Sequence, residues 1–434
     1  MIKIIYLSIF LIFTFGCSFN KNSKFWTSSQ NITEENLPNY EKIFEKEKVL
    51  ENELNPSLRI KLSKKINKNF SQKNYFNNDG RLNYDGDLKR SSRYKFSKIS
   101  NFNQLEPNIL FNKKNIFFFD DNGSIIKFNE KSKLVWKKNY YSKSEKKLKP
   151  ILQLANNQDS LIVADNIAKY FMLDLETGNL IWSKNNLAPF NSQIKIYKDK
   201  FFIIDYSNTL RAFSLKNGEE LWNIKTESSL IRSQKKLSMV IVDEVIYFNN
   251  SIGDISAVDI KKAELLWQLP TQSSLIYESA FSLETSDIVA DEKNLFFSNN
   301  KNQFFSIDIE SGSFNWENKI NSNIRPSLID NFIITVSLEG YLILIEKNSG
   351  NIVRITDVFS NFKIKKRDQI KPSGFIVGLD KIYLTTNNGR LLVIDLSSGK
   401  TISTLKIDNE KISRPFILND NLFVVKDNAI IKLN

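Results

Sequence analysis

From about Asn115 onward the chain repeats one arrangement of apolar and polar positions. A run of β-formers, apolar at nearly every place, leads into a polar turn. An alternating strand follows and ends in Asp or a similar residue. A glycine turn then leads into a strand carrying Trp. Full copies begin at Asn115, Leu161, Lys200, Val245, Asn294, Asn331 and Lys381, and a truncated copy runs from Asn421 to Asn434. The Trp place is held by Trp136, Trp182, Trp222, Trp267 and Trp316, then by Arg354 and Ser403, at steps of 46, 40, 45, 49, 38 and 49 residues. A period in the forties with about four strands per unit predicts the blades of a β-propeller.

Each part of the repeat has a physical reason. Runs such as Phe201-Phe-Ile-Ile and Leu295-Phe-Phe suit strands covered on both faces. In Leu-Asp-Leu and Ile-Asp-Ile the Asp points away from its neighbours and can accept backbone N–H groups of the next turn. Thr177-Gly178, Asn217-Gly218, Ser311-Gly312, Ser349-Gly350 and Ser398-Gly399 supply a positive-φ turn position. The Trp four residues past that Gly reads as a wedge between adjacent blades, burying on the order of 200 Å².

The last copy lacks its Trp strand, and an open blade edge is an aggregation hazard. The stretch from Ser92 to Ile99 alternates apolar and polar with period two and is the expected replacement. The predicted fold is therefore all-β: an eight-bladed propeller of four-stranded antiparallel blades over residues 91–434, closed by an N-terminal strand. Such a ring leaves no long edge to pair, so a monomer is expected.

Residues 1–17 read differently. Lys3 is followed by an apolar run from Ile4 to Phe15, too short for a comfortable membrane span, ending in Gly16-Cys17. A small residue before a lone Cys at the end of such a run resembles the bacterial lipobox, which implies acylation of Cys17 as a lipid anchor. An ordinary signal peptide or a membrane anchor helix is the alternative. Ser18 follows Cys17, and by the same resemblance this implies the periplasmic face of the outer membrane. Residues 18–90 are rich in Asn, Lys, Ser and Glu and read as a polar, largely disordered tether, or as a segment that orders on a partner.

Composition narrows the chemistry. The 434 residues contain no His and one Cys. That excludes a Ser-His-Asp triad, imidazole acid–base work, His-ligated zinc, an internal disulfide and any two-Cys redox motif. Lys and Arg outnumber acids by 13, but the charges are scattered and lack the clustered footprint of nucleic-acid binding. The nearest approach to a calcium loop, Asp120-Asp121-Asn122-Gly123, is better explained as a β-turn. No catalytic or metal-binding residue and no cofactor is expected.

The repeat resembles the pyrroloquinoline-quinone-type repeat over residues 110–434. Together with lipobox and tether it resembles the BamB family, the lipoproteins of the outer-membrane β-barrel assembly machinery. The resemblance implies a non-enzymatic periplasmic scaffold. It would bind the barrel-forming subunit and help deliver unfolded outer-membrane proteins. It also implies a partner edge in the connectors leading into the fourth and fifth copies. In Ser228 to Ser233, Ser229 and Ile231 stand at the two Leu places of a family Leu-x-Leu-Arg pattern, with Leu230 between them and Arg232 kept; in Ser282 to Ser286 only Glu284 remains acidic, Ser282 having lost its charge. Arg232 beside Leu230 and Ile231 suits an anchoring contact; a solvated Arg232 with Ile231 packed inward is the other reading. Two further functions stay open: a binding propeller with another partner, and a quinone-dependent dehydrogenase sharing only the repeat.

Overall fold

The computed structural model describes residues 50, 52–67, 74–227, 233–272 and 282–434. Its strands form eight four-stranded antiparallel sheets in chain order, the blades of a propeller. The first blade comprises Leu110–Asn112, Asn115–Phe119, Ile125–Phe128 and Leu134–Lys138, from the channel outward. The middle strands of each blade are buried on both faces. Phe117, Phe171, Phe201, Phe202, Phe248 and Phe296 are all fully enclosed, each side chain contributing roughly 1.5–3 kcal/mol.

The turns behave as the repeat predicts. Asp174 Oδ1 accepts the Thr177 N–H at 2.7 Å, Asp308 Oδ1 the Ser311 N–H at 2.8 Å, and Asp395 Oδ1 the Ser398 N–H at 2.7 Å. Gly178, Gly218, Gly312, Gly350 and Gly399 all have φ between 68° and 74°. Asp120 lies in a turn of its own: its Oδ1 accepts the N–H groups of Asn122 and Ser124.

The eighth blade is completed from the N-terminal side. Strand β1 (Arg90–Lys95) pairs antiparallel with the last strand, Ala429–Leu433, placing Tyr94 opposite Ile430. The closing strand thus starts two residues before the expected stretch and stops short of Ile99, which is buried outside any strand. Tyr94 is fully buried, packs edge-on against Phe128 of the first blade and donates to the Glu130 carbonyl at 3.1 Å. The clasp therefore also fastens the eighth blade to the first.

The chain ahead of this strand departs from the tether reading wherever it is described. Leu54 forms a bridge with Ile355 on the outer strand of the sixth blade, and the Ile60 N–H donates to Ser397 O at 3.0 Å. Leu82 and Tyr84 are buried, with Tyr84 edge-on to Tyr383 of the seventh blade at 5.1 Å. Such a polar segment cannot build a core of its own. It seats single apolar residues and backbone groups on surfaces the blades already present.

Candidate functional site

The innermost strands of the blades surround a central channel, and residues 74–82 cross it. Tyr75 O accepts the Ile241 N–H of the fourth blade at 3.0 Å, and Phe76 O the Ala290 N–H of the fifth at 2.9 Å. The Asn78 amide bonds both ways with Leu328 of the sixth blade. The Leu82 N–H reaches Val377 of the seventh at 3.0 Å. Asn77 is buried at the centre. Its Nδ2 donates to Ile288 O at 2.9 Å and to Ser238 Oγ and Met239 O at 3.1 Å, while its Oδ1 accepts Lys195 Nζ at 2.6 Å.

Charged side chains gather around this crossing. Arg414 Nη1 donates to Asp79 Oδ2 at 2.8 Å, and Arg325 pairs with Asp287 and reaches Asp79 at 3.8 Å. Burial tends to raise the Asp287 carboxyl, but Arg325 and Lys236 outweigh it and hold the group far below the carboxylate range. Lys195 is pushed down to about 7, chiefly by burial and next by Arg325, against the pull of Asp287 and Asp79. Lys236 is also lowered by burial.

At the mouth the network reaches the expected partner edge. Glu284 is exposed; its N–H donates to Asn300 Oδ1 at 2.9 Å and its carboxylate accepts the Asn323 amide. The Asn323 carbonyl accepts Lys235 Nζ at 2.8 Å, and Lys235 pairs with Glu106 at 3.3 Å. Residues ahead of the first, fourth, fifth and sixth blades are thereby linked across the channel mouth. Lys411, ahead of the eighth, donates to Asn103 O and Leu105 O at 2.8 and 3.2 Å. Leu230, Ile231 and Arg232 lie outside the described residues, as does Cys17.

The Trp positions sit elsewhere, at the outer blade-to-blade contacts. The Nε1 groups of Trp182, Trp267 and Trp316 donate to the carbonyls of Leu215, Ile309 and Lys347 in the following blade, at 3.1, 3.2 and 3.0 Å. Gly178, Gly218, Gly312 and Gly350 lie against the rings of Trp136, Trp182, Trp267 and Trp316. Trp222 packs on Phe202 at 5.6 Å between centroids. Trp136 has a buried Nε1 without a hydrogen-bond partner among the described residues; the carbonyl in the corresponding place, Leu175 O, accepts buried Lys127 Nζ at 3.2 Å. Arg354 substitutes for Trp chemically: it is buried and donates to Leu396 O at 3.3 Å, the equivalent carbonyl, and to Ser397 O.

Sequence reasoning passed over the channel group Asn77, Asp79, Lys195, Arg325 and Arg414. The available signal was Asn77-Asn78-Asp79-Gly80, a turn-forming cluster inside an otherwise featureless polar stretch.

Eight blades with this Trp-over-glycine docking define a β-propeller of the pyrroloquinoline-quinone-type repeat class. Residues 121–356 match the family described as outer membrane protein assembly factor BamB, and the chain belongs to that family. No curated protein sequence matches. Among solved structures, BamB from Moraxella catarrhalis aligns at 14% identity and TM-score 0.61, covering 80% of this chain and 97% of its own. The quinohemoprotein alcohol dehydrogenase from Comamonas testosteroni aligns at 9% identity and TM-score 0.62, covering 81% and 78%. The computationally designed Ika8 protein aligns at 9% identity and TM-score 0.59, covering 78% and 99%. At these identities the likenesses describe a shared fold and carry no chemistry across.

Proposed function

We propose that this protein is a non-catalytic scaffold of outer-membrane β-barrel assembly, held at the periplasmic face of the outer membrane by an acyl chain on Cys17. The observation that carries the reading is the family match over residues 121–356. In this reading the barrel-forming subunit docks at the channel mouth, where the connectors into the fourth and fifth blades meet, with Leu230, Ile231, Arg232 and Glu284 on the contact edge. The exposure of Glu284 beside Lys235 and Asn323 supports that placement. Unfolded outer-membrane proteins are the cargo, and no nucleic acid takes part.

Dehydrogenases share the ring. Against an enzyme of that kind stands the chain's own segment 74–82, which crosses the channel and is bonded to five blades, the third to the seventh. A quinone placed on the axis would have to displace it.

The test is gentle solubilisation of native membranes, capture by a C-terminal tag and identification of co-purifying proteins, for wild type, Arg232→Glu and Glu284→Lys. Recovery of a barrel-assembly subunit that falls in both variants supports the scaffold and its edge. Undiminished recovery moves the edge elsewhere. Absence of any such subunit overturns the assembly reading and leaves a propeller with a different partner.

A further inference from the structure

Each blade's outer strand hands the chain to the inner strand of the next blade at the channel-mouth end of the ring. The connector from the sixth blade's outer strand, Ile352–Asp357, to the seventh's inner strand, Pro372–Val377, covers residues 358–371. Its base is fixed. Phe359 is buried and meets Phe362 edge-on at 5.6 Å between centroids, and Ile370 is buried. Arg367 Nη1 donates to Asp357 Oδ2 at 2.8 Å, Nη2 to Ser360 O at 2.7 Å and Nε to Phe362 O at 3.2 Å.

On that base stands one turn of helix, Ile364–Arg367, whose apex faces water. Ile364 is 81% exposed. Lys363, Lys365 and Lys366 around it are exposed and form no ion pair among the described residues. Arg367 is taken up by Asp357, and Asp368 is the connector's only acid, against a further exposed Lys371. A lone exposed isoleucine is ordinary on a protein surface. An isoleucine at the apex of a fixed turn, set among unpaired lysines, suits a partner with negative charge outside and hydrocarbon beneath.

The N-terminal segment leads to the same place. Leu54 pairs antiparallel with Ile355, so the residue before it lies toward Asp357, where the connector begins. There the Glu53 carboxylate accepts the Asp357 N–H at 2.9 Å. Cys17 precedes Leu54 by 37 positions. Chain of that length spans at most roughly 120 Å, so an acyl chain on Cys17 limits the ring's distance from a membrane but not the side it turns to it. A lipid contact beside the point where the chain joins the ring would set that side.

We propose that the rim at the 358–371 connector docks on an anionic phospholipid surface, with Ile364 entering the headgroup boundary and Lys363, Lys365 and Lys366 meeting lipid phosphates. The proposal rests on the anchored reading above for its setting; the surface itself follows from charge, exposure and the course of the chain. It lies two blades round the ring from the connector into the fifth blade and leaves the edge at Glu284 free.

The test is co-sedimentation with vesicles of phosphatidylethanolamine and phosphatidylglycerol and, for comparison, of phosphatidylcholine alone. The protein is the chain from Ser18 onward, which keeps every described residue and lacks Cys17. Variants are Ile364→Ser and the triple change Lys363→Gln, Lys365→Gln, Lys366→Gln. A control of equal charge is Lys143→Gln, Lys146→Gln, Lys147→Gln on the connector into the second blade, where Leu148 is likewise exposed. Thermal melts check each. The wild type should bind the anionic vesicles and not the phosphatidylcholine ones. The triple change at the tip should weaken partitioning at least roughly tenfold, a lysine near such a surface being worth about fivefold. Ile364→Ser should weaken it with the salt dependence unchanged, since no charge is removed. Equal binding to both vesicle types, or none to either, overturns the proposal. So does a triple change at the tip without effect, or a loss that follows Lys143, Lys146 and Lys147 instead. The co-purification experiment above reads a protein partner, so the two readings fail separately. There the tip variants should recover a barrel-assembly subunit at the wild-type level, and a fall would assign the tip to a protein contact and overturn the lipid reading.

Discussion

Lys195 Nζ donates to Asn77 Oδ1 at 2.6 Å, joining the third blade's inner strand to the segment that crosses the channel. The ammonium is enclosed beside Arg325, and its second acceptor, Asn74 O at 2.8 Å, is neutral. Burial and the neighbouring cation depress its pKa from 10.5 to about 7. A lysine depressed in the folded state holds fewer protons there than when unfolded. Its destabilising charge is present in full below pH about 7 and is relieved as pH rises toward the unfolded value near 10.5. Wild-type stability to urea should therefore climb over that interval by at most about 1.4 kcal/mol per pH unit from this group. Lys195→Met should flatten the climb, and equal slopes for the two proteins would refute the assignment.

Asp287 titrates in the opposite sense. Its carboxyl is held low by Arg325 and Lys236, so the stability it contributes is present above the ordinary carboxylate range and lost as pH falls below it. Asp287→Asn should cost about 3–5 kcal/mol at neutral pH, because it removes Arg325's nearer carboxylate and leaves only the longer pair with Asp79. The difference from wild type should shrink in acid, as read from urea midpoints at pH 7 and pH 3.

The Trp182 ring lies so close to Gly218 that a Cβ there would meet it at 2.7 Å. Ala263 occupies the same turn of the fourth blade at φ 59°, so the left-handed backbone by itself accepts a side chain. Gly218→Ala should thus lose about 1–3 kcal/mol through crowding of the indole. Trp182→Phe in the same chain should recover part of the loss, measured by a double-mutant cycle.

Closure rests on Tyr94. Tyr94→Ala should cost about 3–5 kcal/mol, since it empties a fully buried aromatic site. Removing residues 90–95 outright exposes the edge of Ala429–Leu433 and should produce concentration-dependent oligomers that the full chain does not form, seen by light scattering. A monodisperse truncated protein would show that the clasp is dispensable.

Arg354 joins two contacts in one side chain, the blade-to-blade bond that Trp makes in other blades and a second bond to the N-terminal segment. It donates to the carbonyls of Leu396 and Ser397 in the next blade, and to Leu58 O at 3.0 Å in the N-terminal segment. Arg354→Trp should keep the blade contact and release the segment, so limited proteolysis should cut near residues 54–60 faster while the ring's melting temperature changes little.

The blades were legible in the chain because their contacts are short in sequence. Each Asp-to-Gly turn, each hairpin and each Trp wedge joins residues of one repeat or of neighbouring repeats. Local propensity, alternation and turn chemistry therefore write the whole unit at a period near forty-five. The closing strand could be anticipated for the same reason: one missing strand and one unassigned period-two stretch fit each other, and only its limits shifted, to Arg90–Lys95. The path of residues 50–84 was not legible. Leu54 meets the sixth blade and Leu82 and Tyr84 the seventh, with the channel crossing in between, so no single period runs through them, and Asn77 and Asp79 look like solvated turn residues until the ring surrounds them. Nor could the sequence join Lys195, Asp287, Arg325 and Arg414, which stand 219 positions apart at the extremes and meet only because a closed ring brings every inner strand to one axis. The sequence by itself determined the repeating unit, through contacts it carries locally. The tertiary structure alone decided what fills the channel, because ring closure creates the enclosed space in which those charges must find partners.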